Sequence, residues 1–186
     1  MAVDIDLIRA YEDGAVYTHA QGATITLPVT ASESLDVDFF EVGAVGEEGL
    51  TEAIAQNVTD YFLWQKGALG RRLRNQSVKT VKFAAAETSL NNLGLHYAGS
   101  VITSTTEGAA VEEKPPGTDI RTWVLHGIDG DREVRVVIPL GEIGERGDVV
   151  WSGGGPTVYE WTLSYYIGPD GTWAKRYYID DDMATP

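Results

Sequence analysis

The chain has 186 residues, 28 acidic against 14 Lys and Arg side chains, a net charge of −14 and no cysteine. That length suits one domain burying roughly 70% of its unfolded surface. The missing thiols exclude disulfides, thiolate metal sites and a cysteine nucleophile, and the acidity opposes nucleic-acid binding by phosphate neutralisation.

With 21 Gly, nine Tyr and five Trp the composition favours strands and turns, so a mainly β chain is expected. Its start, MAVDIDLIRAYED, lacks the basic then apolar order of a secretory signal. No apolar run approaches the ~20 residues of a membrane span, so neither signal-directed secretion nor a membrane partner is expected.

Ala15 to Ala20 and Ala23 to Val29 (ATITLPV) predict short strands around Gln21-Gly22, with Pro28 marking an edge. Leu35 to Val45 predicts a third strand, with Asp36 and Asp38 on one face and Val37 and Phe39 on the other. Leu50 to Trp64 is open between extended and helical, and Gln65-Lys66-Gly67 punctuates it. Arg71 to Ala85 predicts a long strand, with Lys79, Val81 and Phe83 on one side and Val78, Thr80 and Lys82 on the other.

A helix over about 88–98 follows from Leu90, Leu93 and Tyr97 at i, i+3, i+7. Thr88 or Ser89 serves as cap, Glu87 lies near the positive end, and Gly99 closes it. Gly94, unfavourable in a helix by about 1 kcal/mol, implies close packing on the sheet. Residues 106–118 (TEGAAVEEKPPGT) read as a linker or exposed loop.

Arg121 to Ile128 and Arg132 to Leu140 predict a hairpin across Asp129-Gly130-Asp131. Val158 to Ile167 alternates, with Tyr159, Trp161, Leu163, Tyr165 and Ile167 on one face. GPDGT then turns it into WAKRYYID as a second hairpin. No fixed-period repeat is present.

No catalytic constellation emerges. His19, His96 and His126 lie outside any metal motif and read as surface or packing residues. Asp129, Asp131 and Glu133 share calcium-loop spacing, but Val134 and Leu140 stand where glycine and a bidentate glutamate are required. Walker, dinucleotide and nucleophile-elbow patterns are missing, Asp180-Asp181-Asp182 reads as a solvated tail, and no enzyme, metal or cofactor is expected.

Charge is unevenly placed. Residues 1–60 balance to −11, residues 61–86 to +6 and residues 87–186 to −9. The basic block of Lys66, Arg71, Arg72, Arg74, Lys79 and Lys82 is either a solvated strand face or a surface for an acidic partner, including another copy of the chain.

The order of several segments resembles the major tail tube proteins of long-tailed, non-contractile phages (siphophages), particularly those infecting actinobacteria. These are ITLP at 25–28, FFEVGAVGEEGLTE at 39–52, WQKG at 64–67, the basic strand, FAAAETSLNNLGLHYAG at 83–99, VVIPLGEIGERGDV at 136–149, YEWTLSYY at 159–166 and the Gly-Pro-Asp-Gly turn. The resemblance covers roughly residues 15–180.

It implies a single β-sandwich or barrel-like domain over 1–186, with one flanking helix and terminal arms at about 1–14 and 180–186. It also implies hexameric rings stacked into a tube of the virion tail, assembled in the host cytoplasm. Tape measure, tail tip and tail terminator proteins would be partners, and DNA would pass without specific binding. Stacking needs two complementary surfaces on one chain, which the basic block and the acidic segment 33–52 would supply. Acidic lumen candidates are Asp36, Asp38, Glu41, Glu52 and Glu160, with outer-surface solubility charge the alternative for each. The competing expectations are a carbohydrate-binding β-sandwich of a phage fibre, using Trp123, Trp151, Trp161 or Trp173, and, more distantly, a hydrolase with scattered residues.

Overall fold

A computed structural model describes residues 7–183; the outer parts of both expected arms, 1–6 and 184–186, lie outside the described residues. Among the described residues the strands are β1 (Asp13–His19), β2 (Phe39–Glu41), β3 (Thr51–Phe62), β4 (Leu69–Ala85), β5 (Val101–Thr105), β6 (Gly108–Glu112), β7 (Arg121–Asp129), β8 (Arg132–Arg146), β9 (Tyr159–Tyr165) and β10 (Lys175–Ile179), with one α-helix, α1 (Leu90–His96), and a short 3-10 turn at Asp181–Met183. The chain is mainly β, as its composition implies.

One antiparallel sheet runs β2-β1-β7-β8-β9-β4-β3, with β10 also on β8, and β5-β6 form a separate hairpin. The corner is β8. Its first half, Glu133 to Val137, pairs with β10, and its second half, Gly141 to Arg146, pairs with β9. Between them Pro139, which has no N–H to donate, sits where the β7–β8 register shifts. The sheet folds over there, enclosing Val16, Val81, Phe83, Trp123, Ile138, Trp161 and Leu163. Phe83 meets both indoles edge-on, at 5.7 Å from Trp161 and 6.3 Å from Trp123.

The β7–β8 hairpin turns at Asp129-Gly130-Asp131 as predicted, the inward face of β4 follows its alternation, and Tyr159, Trp161, Leu163 and Tyr165 are buried on β9. Ile167 is not; it lies beyond the strand and is exposed. The segment after GPDGT does not return on β9 but pairs with β8, because the second half of β8 already occupies that edge of β9. Residues 106–118 are not all loop, since β6 pairs with β5.

Ala23 to Val29 forms no strand, and of Leu35 to Val45 only Phe39–Glu41 does. Carboxylates take the place of a ladder there: Asp36 accepts from the N–H groups of Thr26 (2.9 Å) and Asp38 (3.2 Å), and Glu33 from that of Val29 (2.6 Å). Arg135 pins the loop by donating to the carbonyls of Thr30 and Glu33.

In α1, Ser89 caps by accepting from the Asn92 N–H at 3.1 Å. The fully buried residues are Asn92, Leu95 and His96, with Leu93 partly buried against the core and Leu90 exposed. The reason is polar: the Asn92 amide donates to the carbonyls of Val42 and Glu87, both at 2.8 Å, which turns that side inward. Glu87 serves the neighbouring loop, accepting from the Ala44 N–H. Gly94 does not pack on the large sheet; an added Cβ would meet only Ile102 of β5, at 3.9 Å.

Asp180 is buried rather than solvated. It is held by Arg9 at 2.5 Å and by Arg132 at 3.6 Å, so residues close to the two chain ends share one anchor.

Candidate assembly interface

The segment left open between strand and helix, Leu50 to Trp64, is the first half of a long hairpin arm. Strand β4 pairs with β9 only from Thr80 to Ala85, whereas it pairs with β3 from Leu69 to Lys82. Outward of Thr80 the two strands have no third neighbour among the described residues, and almost every residue there is exposed. The period-2 pattern of a half-buried strand is lost because neither face of this arm is covered by its own chain.

The tip closes through Lys66 (φ 60°) and Gly67 (φ 63°), consecutive left-handed residues as the I′ class of hairpin turn requires. Two register breaks interrupt the arm. One leaves Gln76 (φ 48°) unpaired between Asn75 and Ser77, and the other leaves Gly70 unpaired between Leu69 and Arg71. Such bulges increase twist and discourage indiscriminate edge pairing. Gly70 also admits Leu63, whose Cδ2 lies 2.7 Å from where a Cβ would stand.

Apolar groups gather along this exposed arm: Ile54, Val58, Tyr61, Phe62, Leu63 and Trp64, the last 96% exposed. An isolated two-stranded ribbon is marginal in water, so a ribbon with an uncovered apolar tip is built to meet a partner.

The root is fixed by charge. Glu52 accepts from the Tyr165 hydroxyl at 2.9 Å and from Arg176, with the Lys79 ammonium at 3.8 Å. Lys79 lies over the Tyr165 ring at 5.1 Å. Burial pulls the Lys79 ammonium below its usual range, opposed by the Glu52 charge, while burial and the same carboxylate raise the Tyr165 hydroxyl.

Of the basic candidates, Lys79 is buried in this root and Lys82 pairs with Glu160 at 3.1 Å. Arg72 grips Asp60 through two bonds, at 2.7 and 2.8 Å, which hold the Asp60 carboxyl below the usual carboxylate range. Lys66, Arg71 and Arg74 make no ion pair among the described residues and stand on the exposed outer arm.

Of the acidic candidates, Glu52 and Glu160 are thus engaged by basic candidates of the same chain. Asp36 shapes the loop, its carboxyl lowered by the N–H groups of Thr26 and Asp38. Asp38 and Glu41 are exposed. Sequence reasoning missed Asp60, Tyr165 and Arg176 as partners, and the apolar tip. The run Tyr61-Phe62-Leu63-Trp64 before Gln-Lys-Gly was the available signal.

Of the four tryptophans of the carbohydrate-binding alternative, Trp123 and Trp161 are buried and Trp173 packs against the core. Only Trp151, 86% exposed, is free to stack on a sugar. A family model described as "Phage tail tube protein" matches residues 1–184. No curated protein matches the chain.

Proposed function

The chain belongs to the phage tail tube protein family, non-enzymatic structural components of the virion tail, and from that premise we propose that it forms hexameric rings stacked into the tube of a siphophage. Self-assembly within the tail follows from the family. The observation that carries the finer reading is the β3–β4 arm, which extends beyond the sheet with apolar and basic groups that its own chain leaves uncovered. Stacking of identical rings is heterologous, joining two different surfaces of one chain, and the arm is suited to be one of them.

In this reading the tube wall is acidic. Duplex DNA carries a charge about every 1.7 Å of axis, and screening extends only about 8 Å at physiological salt, so a close-fitting wall acts on it directly. A basic wall would retain DNA and an acidic one lets it slide. The wall acids are proposed among Asp36, Asp38, Glu41, Glu52 and Glu160, the first three carrying charge that no side-chain cation offsets among the described residues. The termini, about 1–14 and 180–186, are proposed as arms tying ring to ring from the Arg9–Asp180 anchor. The tape measure, tail tip and tail terminator proteins are the proposed partners, and actinobacteria the proposed hosts.

Negative-stain electron microscopy of the purified protein over a concentration series is the test. Rings or hollow tubes are expected. Particles that stay dispersed, and in which sugar shields Trp151, would favour the fibre-module reading instead.

A further inference from the structure

Beside the arm's root lies a cleft of about 880 Å³ between β1, the loop 43–50, β7 and the first half of β8. Its lining includes the apolar side chains of Val45, Leu50 and Val134, and its rim carries Glu12, Asp13, Glu41, Glu47 and Glu48. None of these five carboxylates has an ion-pair partner among the described residues. The outer arm has the opposite character: Lys66 and Arg71 are cations without an ion pair among the described residues close to the exposed Phe62, Leu63 and Trp64, and Arg74, likewise without one, stands opposite Val58 further down the arm.

We propose that the β3–β4 arm tip of one copy docks in this acidic cleft of a second copy, with Phe62 and Trp64 against the apolar lining and Lys66, Arg71 and Arg74 against the rim. The proposal rests on the tube-subunit reading and names the surface that receives the arm. Charge complementarity selects the occupant. The cleft repels nucleic acid and other acidic chains, while the basic, apolar tip is present on every copy. A chain's own tip does not fill its own cleft. Glu52 at the arm's root already lines it, and the ten residues from there to Phe62, extended at about 3.4 Å each, carry the tip about 34 Å away. The contact therefore joins two different surfaces of two copies, a heterologous contact that repeats from copy to copy.

The missing cysteines make the test clean, because a chain with none gives engineered thiols no native competitor. Lys66→Cys places a thiol at the tip and Glu48→Cys one on the rim. After mild oxidation of concentrated protein, the double variant is expected to give a ladder of covalent oligomers. A mixture of the two single variants is expected to stop at dimers containing one of each, at about tenfold the yield of either variant alone. Circular dichroism and micrographs of the same samples report folding and assembly. Hollow tubes without a 66–48 cross-link would overturn the docking and leave the tube reading standing. Cross-linked ladders without rings or tubes would support the docking and overturn the tube. A folded chain that never associates would overturn both.

Discussion

The indole N–H of Trp161 donates to Nδ1 of His96 at 3.1 Å, joining the centre of the large sheet to α1. Both residues are buried, and His96 also packs against Tyr97 and Tyr159, with ring centroids 4.8 and 5.0 Å away. An Nδ1 that accepts a hydrogen bond carries no proton, so the helix docks on a neutral imidazole. Burial first, and then the nearby Arg146 charge, depress the His96 pKa; the Glu113 charge opposes them weakly.

The sign of the pH dependence follows. The unfolded chain takes up a proton near the ordinary histidine value of about 6.5, while the folded chain resists until a lower pH. Stability from this site is therefore full above about 6.5 and lost as pH falls from there through the folded value. The melting temperature should drop between about pH 6.5 and 5 by more in the parent than in His96→Gln, whose amide oxygen still accepts from Trp161. Thermal melts across that range check it. Equal slopes would mean that His96 does not titrate with folding.

Glu52 holds three partners at the arm's root, and its loss leaves the buried Lys79 ammonium beside a neutral group. Glu52→Gln should cost about 1–3 kcal/mol, below the full cost of breaking a buried pair because Glu52 is partly solvated. Lys79→Met keeps the stem's packing and removes the charge, so it should cost less. Urea denaturation of both variants orders them, and the reverse order would show that the lysine, not the carboxylate, organises the root.

How much of this was readable from sequence depends on what each segment packs against. The β7–β8 hairpin was legible from its Asp129-Gly130-Asp131 turn although its strands are buried in unbroken runs, and β9 from its alternation, in which every second residue is buried. Strand β3 was illegible for the opposite reason: Ile54, Val58 and Tyr61 are exposed, so no periodicity marks a core that the arm lacks. Pro28 fitted an edge strand, yet no strand formed, because Asp36 and Glu33 satisfied the backbone locally. The inward turn of Asn92 was hidden too, since a polar residue facing the core is read only from its partners, Val42 and Glu87. For the interface, the basic block was visible as composition. Its division into engaged Lys79, Lys82 and Arg72 and unengaged Lys66, Arg71 and Arg74 needed the cross-strand register.

Trp64 reports on the fate of the tip. It and Trp151 are the two strongly exposed tryptophans, whereas Trp123 and Trp161 are buried. Association that covers the tip should shift the Trp64 emission to shorter wavelength while Trp151 stays in water, and Trp64→Phe should abolish most of that shift without altering the melting temperature of the free subunit. Emission recorded alongside sedimentation checks it; an unshifted spectrum in assembled protein would place the tip in water.

Charge on the arm separates folding from assembly. Arg71 and Arg74 are exposed and unpaired among the described residues, so Arg71→Glu with Arg74→Glu should leave stability within about 0.5 kcal/mol of the parent. Assembly should suffer far more, because reversing two cations opposite an acidic surface replaces attraction with repulsion. The critical concentration for assembly should rise by about tenfold or more in low salt, and the difference should narrow as salt screens both species. Adding Arg72→Glu has a further effect, since it sets a carboxylate against Asp60 across the strands and should fray the arm itself. Sedimentation of the double and triple variants between low and high salt distinguishes the two effects: the double variant's defect should be largely screened, whereas the triple variant's should persist. A double variant that assembles at the parental concentration in low salt would show that these cations face solvent throughout.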